Sequence, residues 1–145
     1  MAEEQKQSKA AFFTRKAANA GVKLPLYTPA GEKTEHWVRI LGVDSDIFRA
    51  TDSEVRRTLM KAAALEGDKA LTQKTIDDAR LDCLAVLVAD WSFPEPCTPE
   101  SVREFLIEAP QIADAIDKAA TKRALFTSGE LSASPPTLST SSAST

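Results

Sequence analysis

Residues Leu81–Phe93 read LDCLAVLVADWSF, the most apolar run in the chain, with one of its two tryptophans near the end and Pro94 directly after it. Cys83 through Ala89 are apolar without interruption. A run of this length fits either a buried strand or a buried helix, and periodicity alone does not decide between them. Upstream, Lys74 to Asp82 carries the pattern on with no turn residue. At 3.6 residues per turn, Ile76, Arg80, Cys83, Leu84, Leu87 and Trp91 share one face, which Leu81 and Val88 widen. The Ala and Leu content favours helix. The spacing therefore predicts a helix over about 72–91, covered on more than one side and stopped by Pro94 and Pro96. Burying each large side chain contributes roughly 1.5–3 kcal/mol, so this helix would supply much of the core.

On the downstream side, Ser92–Cys97 reads as a stiff link with two prolines. Thr98-Pro99-Glu100 is a helix start: a hydroxyl at the N-cap, Pro at N1 and an acid in the first turn. Val102, Phe105, Leu106 and Ala109 form the apolar face of that helix, and Pro110 breaks it. A last helix is expected to about Phe126, with Ile112, Ile116, Ala119, Arg123 and Phe126 on one stripe. Residues 128–145 are Ser-, Thr- and Pro-rich and almost without bulk, which does not offset the entropy of ordering, so a disordered tail is expected.

Upstream of the run, Thr51-Asp52-Ser53-Glu54 matches a capping box, with Val55, Leu59, Ala62 and Ala63 on the buried face of the helix that follows. Gly67 ends that helix, and the short connection to Leu71 makes it an antiparallel neighbour of the central one. Before it lies a β-hairpin at about 22–41. Lys23–Thr28 and Glu35–Leu41 flank Thr28-Pro29-Ala30-Gly31, a type I turn sequence. His36, Val38 and Ile40 point one way, and Trp37, Arg39 and Leu41 the other. Pro25 lacks a ladder donor and confines the first strand to an edge. A lone hairpin is marginal in water, so this one packs on helices, joins a third strand or pairs with another copy. A short helix over Ala10–Ala20, closed by Gly21, precedes it, and residues 1–10 are read as a flexible N-terminus. The fold class expected is mainly α: a small bundle of four to five helices in one domain over 11–127, with an N-terminal β-hairpin.

The chain has 145 residues and a formal net charge of −3, which argues against a nucleic-acid binder driven by bulk charge. Residues 1–23 hold five cations and two anions. That basic arm is either a contact for an acidic partner or, more commonly, a solvated face. No apolar run approaches the ~20 residues that span a bilayer, and the N-terminus lacks a signal-peptide core, so a cytoplasmic protein with no membrane contact is expected. His36 is the single histidine, and the two cysteines are too few for a disulfide scaffold or a structural zinc site. Cys83 falls on an apolar face, where a thiol acts as a small hydrophobe. Cys97 lies just after Pro96, with no nucleophile signature around it. Phosphate-cradling and nucleophile-elbow motifs are missing. Asp77, Asp78 and Asp82 lack a calcium-loop context and read as a solvated helix face. Arg80 and Arg123, set within apolar stripes, either snorkel, pair with an acid at a helix–helix contact, or mark a partner-binding groove. Neither catalysis nor a cofactor or metal is expected.

The order Leu84 to Trp91, Phe93-Pro94, Thr98-Pro99-Glu100-Ser101-Val102, Phe105-Leu106, Pro110 and Ile112 through Phe126 resembles the tail assembly chaperones of long-tailed bacteriophages. The upstream hairpin with Leu26, Trp37 and Val38 is similar to that family's N-terminal part. The similarity covers about residues 12–126 and is a profile of spacings, without one diagnostic motif. It implies a non-enzymatic helical chaperone in the cytoplasm of the infected host or of a lysogen. The partner implied is the long tape measure protein, kept soluble until the tail tube polymerises around it, with the chaperone absent from the finished particle. In many relatives a frameshifted longer product is thought to recruit tail tube subunits. A bundle with an open groove would cover the partner's apolar stripes in the helix-in-groove mode. Trp91, Phe93, Phe105 and Phe126, with Arg123, are the candidate partner-binding residues, although each aromatic taken singly is more often ordinary core. A homo-oligomer is also compatible. The alternative is a minor tail or connector protein retained in the virion, using the hairpin for strand addition between copies.

Overall fold

A computed structural model describes residues 8–128. After a 3-10 turn at Lys9–Phe12 come α1 (Arg15–Ala20), β1 (Val22–Tyr27), β2 (Lys33–Ile40) and the long α2 (Asp46–Glu66). These are followed by a 3-10 turn at Asp68–Ala70, α3 (Gln73–Leu87), β3 (Val88–Trp91), α4 (Pro99–Glu108), α5 (Pro110–Ala120) and α6 (Arg123–Ser128). The architecture is mostly α with the expected hairpin, but it is not a pure bundle: a three-stranded antiparallel sheet, ordered β1-β2-β3, packs with the helices. The expected tail lies outside the described residues, apart from Ser128, as do residues 1–7 of the N-terminal arm.

The central run corrects the helix expected over 72–91. Thr72 caps the start, accepting from the Thr75 amide at 3.2 Å, but the helix ends at Leu87 and the chain passes directly into β3. The cause is the open side of β2. A two-stranded ribbon leaves one row of β2 backbone groups unpaired, and such groups must find partners when buried. Residues 88–91 supply them, pairing Val38 with Trp91, Arg39 with Asp90 and Ile40 with Val88. The Leu41 amide reaches the Leu87 carbonyl at 2.8 Å, so the last turn of α3 is already joined to the sheet. Val88 and Asp90 are indifferent helix formers, and little local preference opposes the switch. Pro94 and Pro96 therefore shape the bend after β3 and do not end the helix.

The hairpin follows its sequence. The Gly31 amide donates to the Thr28 carbonyl at 2.8 Å, closing the turn, and Pro25 lies on the edge strand β1. Val38 and Ile40 are completely buried, while Trp37 is half-buried under the Lys23 ammonium, 4.3 Å above its ring. The sheet's inner face meets Leu84, Leu87, Val102, Leu106, Ile112 and Ile116 in one contiguous core.

Two helix boundaries also differ from expectation. Thr51 is not an N-cap, because α2 starts five residues earlier at Asp46. There Ser45, fully buried, accepts from the Phe48 amide at 3.4 Å, and Asn19 accepts the Asp46 amide at 2.8 Å. An upstream cap held by tertiary contact overrides a local one, and Thr51 continues inside the helix. The last helix divides as well. α5 ends at Ala120, whose carbonyl accepts from the Val43 amide at 3.2 Å, and a new short helix begins at Arg123. The 42–45 loop takes up a carbonyl that the continuing helix would have used. As expected, α2 closes at Gly67 with φ of 84° and its amide on the Ala63 carbonyl. Thr98 and Ser101 form the reciprocal cap of α4, at 3.1 and 3.0 Å.

Candidate functional site

The five candidate partner-binding residues fall into two separate places. Trp91 is on β3, Phe93 on the bend after it and Phe105 on α4. Their rings form a mutual edge-to-face cluster with centroids 5.3 to 5.9 Å apart. The Trp91 indole N–H donates to the Glu95 carbonyl at 2.7 Å, which locks the bend onto the ring. Trp91 is buried, and Phe93 and Phe105 are half-buried against the core. The cluster and the Trp91 hydrogen bond thus pin the 92–97 link against the core. Arg123 and Phe126 lie elsewhere, on α6, which packs on α1. Phe126 is buried beside Gly42. Arg123 donates to both carboxylate oxygens of Asp44, at 2.6 and 3.0 Å. Of the alternatives open for Arg123, an ion pair is the one formed, although its partner acid comes from a loop. Arg80 does the same across helices, 3.2 Å from Asp114 and 3.6 Å from Asp117 on α5.

His36 stacks on Phe93 at 4.5 Å, with Nδ1 3.0 Å from the Ser92 hydroxyl. That hydroxyl oxygen also accepts the Trp37 amide at 2.9 Å. The hydrogen bonds of Ser92 stitch β2 to the bend after β3, and among the described residues no carboxylate is hydrogen-bonded to the imidazole as a triad would require. Burial raises the pKa of both the Cys83 and Cys97 thiols, which lowers their thiolate fraction and with it their nucleophilicity. Asp78 and Asp82 accept from Arg103 at 3.2 and 3.0 Å, fastening α3 to α4. Asp78 is held below its usual pKa first by the Lys74 ammonium and then by Arg103.

Among the described residues, an open apolar surface lies in the helical hairpin α2–α3, away from the expected site residues. None of the residues of α2 is buried. Its Phe48, Val55 and Leu59 face Ala79, Cys83 and Leu84 across an open groove of about 300 Å³, rimmed by Asp52, Arg56, Arg80 and Asp117. Toward the tip, Met60 and Leu65 are 71% and 81% exposed, and Leu71 and Ile76 are also open. The sequence carried this signal in the thinness of the α2 stripe, where alanines stand at 62 and 63. Phe12 and Phe13 also project into solvent ahead of α1.

No family model, curated protein or solved structure matches the chain. Among the described residues, no group of three or more His, Cys, Asp or Glu side chains is placed to hold a metal, and no helix is long and apolar enough to cross a membrane.

Proposed function

We propose that the chain is a bacteriophage tail assembly chaperone. It binds the tape measure protein in the host cytoplasm, keeps it soluble during tail morphogenesis and leaves before the virion is complete. The observation that supports this reading is the half-covered α2–α3 hairpin: a helix of 21 residues with no buried residue, beside an open apolar groove. A long helix-rich partner would present apolar stripes of the kind such a groove can cover. Charged rims on both sides of the groove favour an amphipathic occupant over a purely apolar one. Low affinity per copy suits a protein that coats a long chain and is then displaced.

Co-expression with a tape measure protein is the test. The soluble fraction of that partner rises with the wild-type chain and falls back with Val55→Glu/Leu59→Glu, while circular dichroism of the variant keeps its helical signal. Equal insolubility with and without the chain rejects the reading.

A second reading, a tail or connector component retained in the particle, draws on the sheet. The outer edge of β1 is unpaired in the described residues and offers backbone for strand addition, although Pro25 removes one donor. Mass spectrometry of purified particles separates the two, since only a retained component appears at stoichiometric level.

A further inference from the structure

Two exposed helix faces carry opposite charge around an exposed apolar residue. On α2, Arg49, Arg56, Arg57 and Lys61 share the outward face with Met60, over about 18 Å of axis. Asp52 pairs with Arg56 at 2.6 Å and Glu54 with Arg57, so four cations face two anions there. On α4, Glu100, Glu104 and Glu108 flank Ile107, which is 49% exposed, over about 12 Å. Arg103, the one cation of α4, is turned inward onto Asp78 and Asp82 and does not neutralise this face. Both helices pack on α3, but on different sides of it. α2 faces Ala79 and Cys83, and α4 is fastened to Asp78 and Asp82. One copy therefore cannot bring its own two faces together.

We propose that the chain associates with further copies of itself, the cationic face of α2 on one copy seating on the anionic face of α4 of the next. Met60 and Ile107 provide the apolar centre, and the carboxylates of α4 meet Arg57 and Lys61. The contact is heterologous, since two different patches meet, and each added copy leaves one of each patch free. One helix against another is below the size of a stable interface, so association is weak and concentration-dependent. Exposed charge pairs make it salt-dependent.

Sedimentation velocity of the full-length protein tests this. Wild type shows a mass above the monomer that rises with concentration, and the apparent association constant falls at least about tenfold between about 0.05 and 0.5 M salt. Arg57→Glu/Lys61→Glu and, separately, Glu104→Lys/Glu108→Lys are monomeric with unchanged circular dichroism. Mixing the two variants restores association in alternating order, because the intact α4 face of the first meets the intact α2 face of the second and the two reversed faces are again complementary in charge. A variant that fails to fold is replaced by Met60→Ser or Ile107→Ser, which keeps the charges and still weakens association. A monomeric wild type overturns the proposal and leaves both faces to a different protein, as does self-association that the charge reversals leave unchanged.

Discussion

The titration of Asp44 is set by the fold. Its carboxyl is held down to about 2, first by the Arg123 hydrogen bond, then by Thr14 and the guanidinium charges of Arg123 and Arg49, against the opposing effect of burial. A folded pKa below the unfolded value of about 3.9 means stability that is fully present above the latter and lost as pH falls toward 2. Arg123→Gln is therefore less stable than wild type at neutral pH, and the gap narrows between about pH 5 and pH 2. Urea melts of both proteins across that range check it, and a gap independent of pH shows that the guanidinium acts through packing alone. Asp46 behaves in the same sense, lowered first by its hydrogen bond from Arg15. Thr98→Ala removes the cap of α4 and costs about 1 kcal/mol, measurable by the same melts. Gly42 tolerates no side chain without movement, since a Cβ there would lie 2.9 Å from the Cβ of Ala18.

Among the elements, the contrast is between α2 and the helices that close the core. Leu106 is buried and Leu59 only half so. Leu106→Ala should cost about 2–5 kcal/mol, and Leu59→Ala markedly less. Equal losses from the two substitutions would show that α2 is covered in solution. Amide exchange should rank β2 slowest among the strands, because it alone is paired on both sides, with β1 and the outer half of α2 faster. Much of this was legible in the sequence. The hairpin, its turn, Pro25 at the edge, the Gly67 stop and the Thr98 cap were all set by local chemistry. The helix of 72–91, the cap at Thr51 and the continuous last helix were not, and for one reason. In each case a group distant in sequence decided the boundary: the β2 backbone for residues 88–91, the Asn19 side-chain oxygen for Asp46, the Val43 amide for Ala120. The aromatic cluster was readable only as a set of apolar residues, since its members meet through the fold.

For the whole molecule, β3 joins what would otherwise be two layers. The sheet draws strands from both halves of the chain, and its inner face is covered by α3, α4 and α5. Unfolding should accordingly be a single transition, with Trp37 and Trp91 fluorescence coinciding with far-ultraviolet circular dichroism. Non-coincident curves would separate the hairpin from the helices. The surface left over is then the α2–α3 hairpin with its charged flank, where the small side chains of Ala62 and Ala63 leave a long helix little covered.

The order of synthesis adds one consequence. Val38 and Ile40 leave the ribosome about 50 residues before the strand that shields them. At about 5–20 residues per second, their backbone and side chains wait roughly 3–10 s for Val88–Trp91 to arrive. During that interval the newborn ribbon has a sticky open border, and neighbouring nascent chains on one message are the nearest material able to occupy it.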